Sequence, residues 1–305
     1  MTHTLSFLSN YCSLITRSGS SSPSPPGEIN KTEKAQKDAR EQLQELVDYD
    51  IISKDMADQL SKSIPNEHTH LSVYDEYEII FHETLPNEDG NPHTTALIFD
   101  IDTINNLNKG VSISDIMEGY YNIPEWQRST TSTFIVGAPD KESKTDYGSV
   151  AGYFDPNRNS VNLTYSFLRQ GSRYNKDLKV QQVIYHEYVH ATDYALIDKK
   201  YRHAPLHYLS NYSTKFSDIL KTNKATSYSE SYEKGSYNHR IETLAEAVSY
   251  TRVNNSGGNL YMFTDKGPTP YKTWAKENPE LSQFAQDFIN CKNPNELREL
   301  FGAFY

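Results

Sequence analysis

The sequence predicts an α+β fold in which strands dominate the first half of the chain and helices dominate the second half. Short apolar or alternating runs bounded by turn residues occupy positions 77–164, whereas helix-forming composition with helical spacing extends from position 176 onward. Aromatic residues make up 12% of the 305 residues, which argues against a chain that is disordered throughout. We therefore expect a globular protein with a hydrophobic core.

Charge and hydropathy exclude two classes of protein. The formal net charge is −10, whereas a protein that binds the nucleic-acid backbone normally presents a basic face. No run of apolar residues approaches the roughly 18 that a membrane-spanning helix needs. The sequence therefore predicts neither a nucleic-acid partner nor a membrane span. Cys12 and Cys291 are the only cysteines, so no disulfide framework holds the fold, and both are predicted to be free thiols.

The first 65 residues differ in composition from the rest of the chain. Residues 1–30 are predicted to form a disordered leader, because a Ser-, Pro- and Gly-rich run at 18–27 cannot bury apolar surface. Such leaders occur in substrates of specialised bacterial export systems and also in ordinary disordered tails. Residues 31–65 predict a small helical segment that packs on the main domain, and Ser53 is expected to open its second helix.

The elements of the central region follow from apolar alternation and from turn chemistry. A helix is expected at 114–121. The last two strands are expected to form a hairpin, because the turn at 155–159 contains Asp, Pro and Asn. The strands are predicted at 77–81, 95–99, 133–136, 150–154 and 160–164.

The segment that carries chemistry is an HExxH motif at 186–190. On a helix, His186 and His190 project from the same face one turn apart, which suits two imidazole ligands of one tetrahedral zinc ion. Glu187 lies beside them, where a carboxylate can take a proton from a water molecule. Asn175 is expected to cap this helix.

A third ligand is expected on a second helix, near position 242. Glu242 and Glu246 share one face of this helix, beside an apolar stripe formed by Ile241, Leu244, Ala245 and Val248. One carboxylate can complete a tetrahedral zinc site, and the other can accept the N–H of a ligating imidazole. His239 is an alternative third ligand.

These motifs resemble the zinc metalloproteases of the anthrax-lethal-factor type, a gluzincin group that includes the Pro-Pro endopeptidases. The resemblance implies a zincin-like catalytic domain at 66–305, with a mixed sheet, an edge strand over the HExxH helix and a mainly helical C-terminal half. The similar segments are HEYVHATDYALIDK (186–199), 213–220, 226–228, ETLAEA (242–247) and 278–288.

The resemblance also implies roles for individual residues. His186, His190 and Glu242 would bind one catalytic zinc ion, Zn²⁺. Glu187 would act as the general base. Glu246 would support a zinc ligand from outside the coordination sphere of the metal.

A tyrosine ahead of the third ligand stabilises the oxyanion in this family. The family position, seven residues before Glu242, holds Gly235 in this chain. Tyr237 is the predicted catalytic tyrosine because it is the nearest to Glu242 in the sequence, and Tyr228 and Tyr232 are alternatives.

The predicted function is therefore that of a zinc-dependent metalloendopeptidase that hydrolyses peptide bonds in a protein substrate. The hairpin at 150–164 is expected to supply the edge strand, to which an extended peptide pairs through its backbone. The resemblance and the Ser-rich leader together suggest a secreted bacterial toxin or effector. Such a virulence factor would be delivered into the host cytosol by a specialised secretion system and would act on a host protein.

Two other functions are compatible with parts of the sequence. Asp100 and Asp102 lie in an Asp-x-Asp-x-Thr sequence after a strand, as in Mg²⁺-dependent phosphatases of the haloacid-dehalogenase type, in which the first Asp is the nucleophile. A strand that leads into a helix capped by Asp102 explains the same residues. The second alternative is a non-catalytic binding module with a zincin fold. His203 and His207 have helical spacing but no adjacent Glu, and they are predicted to be surface residues.

Overall fold

The structure is a computed structural model, and it describes residues 31–73, 77–86, 90–141, 150–171, 178–197, 208–258 and 260–302. The predictions for the leader at 1–30 and for Cys12, Asn175, His203 and His207 concern positions outside the described residues. Among the helices of the described ranges, none is long and apolar enough to cross a membrane.

A six-stranded mixed sheet forms the frame of the molecule, in the spatial order β1-β2-β3-β4-β6-β5. β4 runs parallel to both of its neighbours, β3 and β6, whereas the other neighbouring pairs are antiparallel. The predicted α+β class with a mixed sheet is therefore confirmed, and β5 lies at one edge. The strands are β1 (Thr69–Val73), β2 (Glu78–Pro86), β3 (Pro92–Asp100), β4 (Thr133–Ala138), β5 (Gly152–Asp155) and β6 (Ser160–Thr164).

Helices lie before, between and after the strands. The first six are α1 (Lys31–Asp48), α2 (Lys54–Lys62), α3 (Ile101–Asn105), α4 (Ile113–Tyr121), α5 (Glu125–Arg128) and α6 (Tyr165–Gln170). The C-terminal half contains α7 (Val180–Ala195), α8 (Leu209–Tyr212), α9 (Thr214–Ile219), α10 (Tyr237–Asn255), α11 (Tyr271–Glu277), α12 (Pro279–Asn290) and α13 (Pro294–Leu300).

The helices predicted at 31–65 and at 114–121 are confirmed as α1, α2 and α4. The Ser53 hydroxyl caps α2 by accepting the N–H of Met56 at 3.1 Å. Leu43 of α1 and Leu60 of α2 are fully buried, and both belong to the same hydrophobic core as the sheet. The small helical segment therefore packs on the main body of the fold.

Helices cover one face of the sheet. Alternate strand residues point to this face because a strand is pleated, and Phe81, Leu97, Phe134 and Leu163 are fully buried on it. Tyr188 of α7 packs against Phe134, with ring centroids 6.2 Å apart. Helix α7 also contacts β5 and β6 and lies between α4 and α10. This packing places the HExxH helix beneath the edge of the sheet.

A buried ion pair lies on the side of α7 that faces α4. Nη2 of Arg128 is 2.8 Å from Oε1 of Glu83, and both side chains are almost inaccessible to solvent. The Tyr120 hydroxyl donates to the other Glu83 oxygen at 2.7 Å. The Tyr120 ring meets the ring of Tyr188 edge-on, with centroids 5.9 Å apart. These contacts connect β2 and α5 to the buried side of α7.

The structure corrects three local predictions. Helix α7 begins after Lys179, which occupies the N-cap position predicted for Asn175. Asp100, and not Asp102, caps α3, because Oδ1 of Asp100 accepts the N–H of Thr103 at 2.7 Å. A hairpin of β7 (Tyr261–Thr264) and β8 (Gly267–Pro270) interrupts the region predicted to be mainly helical.

The β7–β8 hairpin has a weak sequence signal. Pro268 and Pro270 cannot donate to a strand ladder, so a sequence with two prolines argues against a strand. A two-stranded pair tolerates them because each strand has a free edge. Gly267 has a φ of +88°, which allows the chain to reverse between the two strands.

Candidate metal centre

Helix α7 directs both histidines of the HExxH motif to one point. Nε2 of His186 and Nε2 of His190 lie 3.0 Å apart. Their side chains are only 13% and 9% exposed. Helix α7 is buried along most of its length because it packs against the sheet, α4 and α10. The two imidazoles therefore face a small polar site inside an otherwise apolar environment.

Helix α10 brings Glu242 to the same point. Oε2 of Glu242 is 3.1 Å from Nε2 of His186 and 3.5 Å from Nε2 of His190. Helix α10 begins after Ser236, whose hydroxyl accepts the N–H of His239 at 3.2 Å. Burial of the predicted apolar stripe fixes the rotation of this helix, and its members Ile241, Leu244, Ala245 and Val248 are all buried.

The three side chains fit a metal ion. Among the described residues, His186, His190 and Glu242 have ligand atoms within 4.8 Å of one another. Ligand atoms on a tetrahedral zinc ion with zinc–nitrogen distances of about 2.0 Å lie roughly 3.3 Å apart. The observed separations of 3.0, 3.1 and 3.5 Å fall on both sides of this value. Two imidazole nitrogens and one carboxylate oxygen are a donor set that zinc accepts.

Glu246 supports His186 from the side away from this cluster. Oε1 of Glu246 lies 3.1 Å from Nδ1 of His186. A carboxylate can only accept, so the Nδ1 atom carries a proton, and Nε2 is the ring nitrogen that faces Glu242. The Thr226 hydroxyl donates to Oε2 of Glu246 at 2.8 Å. Each Glu246 oxygen is therefore held in place.

The charges of the cluster are strongly coupled. Burial lowers the pKa of His186, but hydrogen bonds with Glu242 and Glu246 outweigh burial and hold that pKa well above its ordinary value. Burial raises the pKa of Glu242, but the two histidines outweigh burial and hold it well below its ordinary value. Without a metal, the site therefore favours a positive imidazole beside a negative carboxylate.

Glu187 is buried next to the histidines and is only 6% exposed. Burial raises the pKa of its carboxyl group above the ordinary value. The charges of His186 and His190 and a hydrogen bond from the backbone N–H of Phe154 oppose this rise without cancelling it. A carboxylate with a raised pKa is suited to take up a proton and to release it again.

The structure separates the three candidate tyrosines. Tyr237 is the first residue of α10 and is 56% exposed. The hydroxyl oxygens of Tyr228 and Tyr232, which precede α10, lie 3.2 Å apart. Burial and the charge of Glu242 raise the pKa of Tyr228, so its phenol stays protonated near the third ligand. On this geometry Tyr228 is the better candidate, and a catalytic role for Tyr237 stays a prediction.

Two residues beside the cluster gave no signal in the sequence. The Tyr208 ring meets the His190 ring edge-on, with centroids 6.1 Å apart. Asp193, one turn after His190 on α7, accepts the N–H of Ser210 at 2.8 Å and the Ser210 hydroxyl at 2.5 Å. Asp193 thereby fixes to α7 the segment that carries Tyr208. The sequence does not show that the segment with Tyr208 packs against α7, so the roles of Tyr208 and Asp193 can be recognised only in the structure.

The alternative ligand His239 has another role in the structure. Its Nε2 atom lies 3.2 Å from Oε1 of Glu230, and its Nδ1 atom accepts the N–H of Gly235 at 3.4 Å. His239 therefore holds together the segment that precedes α10 and is not part of the metal cluster.

The two aspartates of the phosphatase alternative make structural contacts. Asp100 caps α3, as described above, and Oδ2 of Asp102 lies 3.1 Å from Nη1 of Arg169. Neither contact requires a catalytic role.

No family model, curated protein or solved structure matches this chain. Its function is therefore inferred from the geometry of the site.

Proposed function

We propose that this protein is a zinc-dependent metalloendopeptidase with a zincin-like fold. The observation that carries the proposal is the convergence of His186, His190 and Glu242 from two helices, with Glu187 buried beside them. Three protein ligands leave one position of a tetrahedral zinc ion open, as in catalytic zinc sites, whereas structural sites use four. The resemblance of the HExxH and ETLAEA segments to gluzincins supports the same function.

His186, His190 and Glu242 would hold the zinc ion. When bound, zinc acts as a Lewis acid toward the scissile carbonyl and makes water a nucleophile at neutral pH. Glu187 takes the proton from the attacking water and passes it to the leaving amine. Its buried position keeps this proton away from bulk solvent. Glu246 fixes the tautomer and the orientation of His186 throughout.

An extended peptide is the substrate that fits the sheet. Strand β5 lies at the edge of the sheet and directly against α7. An edge strand offers unpaired backbone groups, and a peptide can add to it as a further strand. A bound peptide would therefore pass over the helix that carries the histidines.

Tyr228 is the group that would stabilise the oxyanion. Its phenol is protonated at neutral pH, because burial and the Glu242 charge raise its pKa. A hydroxyl donor fixed in a buried site stabilises developing negative charge better than water does, since it need not reorient. Tyr232 holds the Tyr228 hydroxyl at 3.2 Å.

We further propose that the enzyme is a secreted bacterial effector or toxin that acts on a host protein. The support for this part is the resemblance to the lethal-factor group and the Ser- and Pro-rich leader at 1–30. The proposed peptide hydrolysis does not depend on this biological role, because the same chemistry applies to any protein substrate.

Metal analysis combined with cleavage of a peptide library tests the proposed function. We expect one zinc ion per chain in the wild type and in Glu187→Gln, with cleavage by the wild type only. His186→Ala should lose both zinc and cleavage. The proposal would be contradicted if the wild type contained no bound zinc after dialysis against a buffer that contains zinc.

The same experiment distinguishes the alternatives. A phosphatase centred on Asp100 would hydrolyse a phosphate ester with Mg²⁺ and would be unaffected by His186→Ala. A non-catalytic binding module would bind zinc but cleave no peptide, and its behaviour would be the same in the wild type and in Glu187→Gln.

A further inference from the structure

In strand β5, the N–H and C=O groups of alternate residues point away from the neighbouring strand β6. The N–H of Thr164 donates to the carbonyl of Ala151 at 3.0 Å, and Tyr153 is opposite Asn162 in the register. In an antiparallel pair, the residues that bond to the partner alternate with residues whose N–H and C=O groups point away from it. The backbone groups of Gly152 and Phe154 therefore point to the free edge.

The Glu187 side chain reaches this free edge. The N–H of Phe154 donates to the Glu187 carboxylate. The Phe154 ring packs on α7 at Tyr194, with ring centroids 5.6 Å apart, which keeps the strand close to the helix. An outward N–H on an edge strand normally bonds to water, so its bond to a buried carboxylate is specific to this arrangement.

Gly152 leaves the space that the Glu187 side chain occupies. A β-carbon at this position would lie 3.2 Å from Cγ of Glu187, 2.8 Å from Cγ1 of Val183 and 2.9 Å from the carbonyl oxygen of Asn162. Gly152 does not have a left-handed backbone conformation. Glycine is therefore required here for space and not for its φ angle.

We infer that β5 positions the general base, because the Phe154 N–H holds the Glu187 carboxylate and Gly152 leaves room for its side chain. This inference rests on the proposed function, in which Glu187 moves the proton. Gly152 and Phe154 are positioning residues, since they act through Glu187. The strand proposed to bind the peptide thereby also orients the group that acts on it, and the Phe154 N–H is not available for pairing with a substrate.

Hydrogen exchange in the metal-free protein tests the contact without reference to activity. The Phe154 amide should be protected in the wild type, and Glu187→Ala should accelerate its exchange about tenfold or more. Glu187→Gln, which keeps an oxygen acceptor but loses the charge, should give an intermediate rate. The Tyr153 amide, which faces β6, is the internal control and should exchange equally in all three proteins. Equal exchange of the Phe154 amide in all three would overturn the inference.

Two glycine variants test the consequence for catalysis. Gly152→Ala should lower kcat about tenfold or more and leave KM within about twofold, because misplacing the base affects chemistry more than binding. Gly119→Ala is the matched control. A β-carbon at position 119 would lie 2.8 Å from Cδ1 of Ile184, so this variant crowds α7 at Ile184 and not at Glu187. Equal losses in both variants, or a rise in KM alone for Gly152→Ala, would overturn the inference.

The two proposals fail in different ways. If the wild type binds no zinc or cleaves no peptide, the proposed function fails, whatever the exchange rates are. If the wild type cleaves peptides but the exchange rate of the Phe154 amide is the same in the Glu187 variants, only the positioning role of β5 fails.

Discussion

Oε1 of Glu246 lies 3.1 Å from Nδ1 of His186, and these two atoms connect the helices α10 and α7 outside the three-ligand cluster. The other oxygen of Glu246 accepts the Thr226 hydroxyl at 2.8 Å. Thr226 lies two residues before Tyr228 in the chain. One carboxylate therefore orients a candidate metal ligand and also fixes the segment that carries the candidate tyrosine.

Glu246→Gln should weaken zinc binding about 10- to 100-fold, because the variant loses the charge that orients His186 and raises its basicity. Competition with a fluorescent zinc chelator measures this change. Glu33→Gln, at an exposed position of α1, is the control and should bind zinc like the wild type. Unchanged affinity in Glu246→Gln would show that the contact does not support the ligand.

Tyr228→Phe should lower kcat about 100-fold with little change in KM, because loss of one oxyanion donor removes stabilisation that exists only in the transition state. Tyr237→Phe should have little effect, since Tyr237 is 56% exposed. Steady-state kinetics on one cleaved peptide compare the two variants. The reverse order of effects would restore Tyr237 as the catalytic tyrosine.

Asp193 should make the stability of the metal-free protein depend on pH. Burial raises the pKa of its carboxyl from 3.8 to about 6, against the hydrogen bonds from Ser210. The folded state therefore binds this proton more tightly than the unfolded state does. The resulting stabilisation is full below pH 3.8 and is lost as the pH rises through 6, by up to about 3 kcal/mol.

Asp193→Asn isolates this contribution, because the amide keeps an acceptor and gains a donor for Ser210. Urea unfolding of the chelated proteins should give similar stabilities near pH 4, with the variant increasingly more stable than the wild type as the pH approaches 7. A constant difference between the two proteins over this range would contradict the assignment.

Glu83→Gln should destabilise the fold by about 3–5 kcal/mol, because it leaves the buried Arg128 charge without its partner. Glu67→Gln is the control, because the Lys31–Glu67 pair is exposed and should contribute at most about 1 kcal/mol. Urea midpoints of both variants provide the comparison. Similar midpoints for the two would mean that the buried pair contributes no more than a surface pair.

Cys291 should react slowly with thiol reagents in the folded protein. Burial raises the pKa of its thiol to about 11, so only about a thousandth of it is thiolate at pH 8. Labelling with a disulfide reagent in a Cys12→Ser background reports on Cys291 alone. Labelling should become fast after unfolding in guanidinium, and equally fast labelling of the folded protein would contradict the burial.

Much of the fold could be predicted because the signals are local. The hairpin of β5 and β6 follows from alternating residues around an Asp-Pro-Asn turn, and Ser53 marks the start of α2 by its capping chemistry. The hairpin of β7 and β8 could not be predicted, because Pro268 and Pro270 are compatible with strands only when both have a free edge. The predicted cap of α3, Asp102, was wrong, because α3 begins directly after β3 and Asp100 therefore takes the cap position.

The sequence by itself determined two pairs of side chains at the candidate metal centre. The four-residue spacings of His186 with His190 and of Glu242 with Glu246 place each pair on one face of a helix, because helical periodicity is a local property of the backbone. Only the tertiary structure decided how the pairs meet. Packing of α10 on α7 brings Glu242 to the histidines and Glu246 to Nδ1 of His186. Tyr228 lies near Glu242, and β5 lies over Glu187, because of the paths that the connecting loops take. Contacts between residues distant in sequence determine those paths.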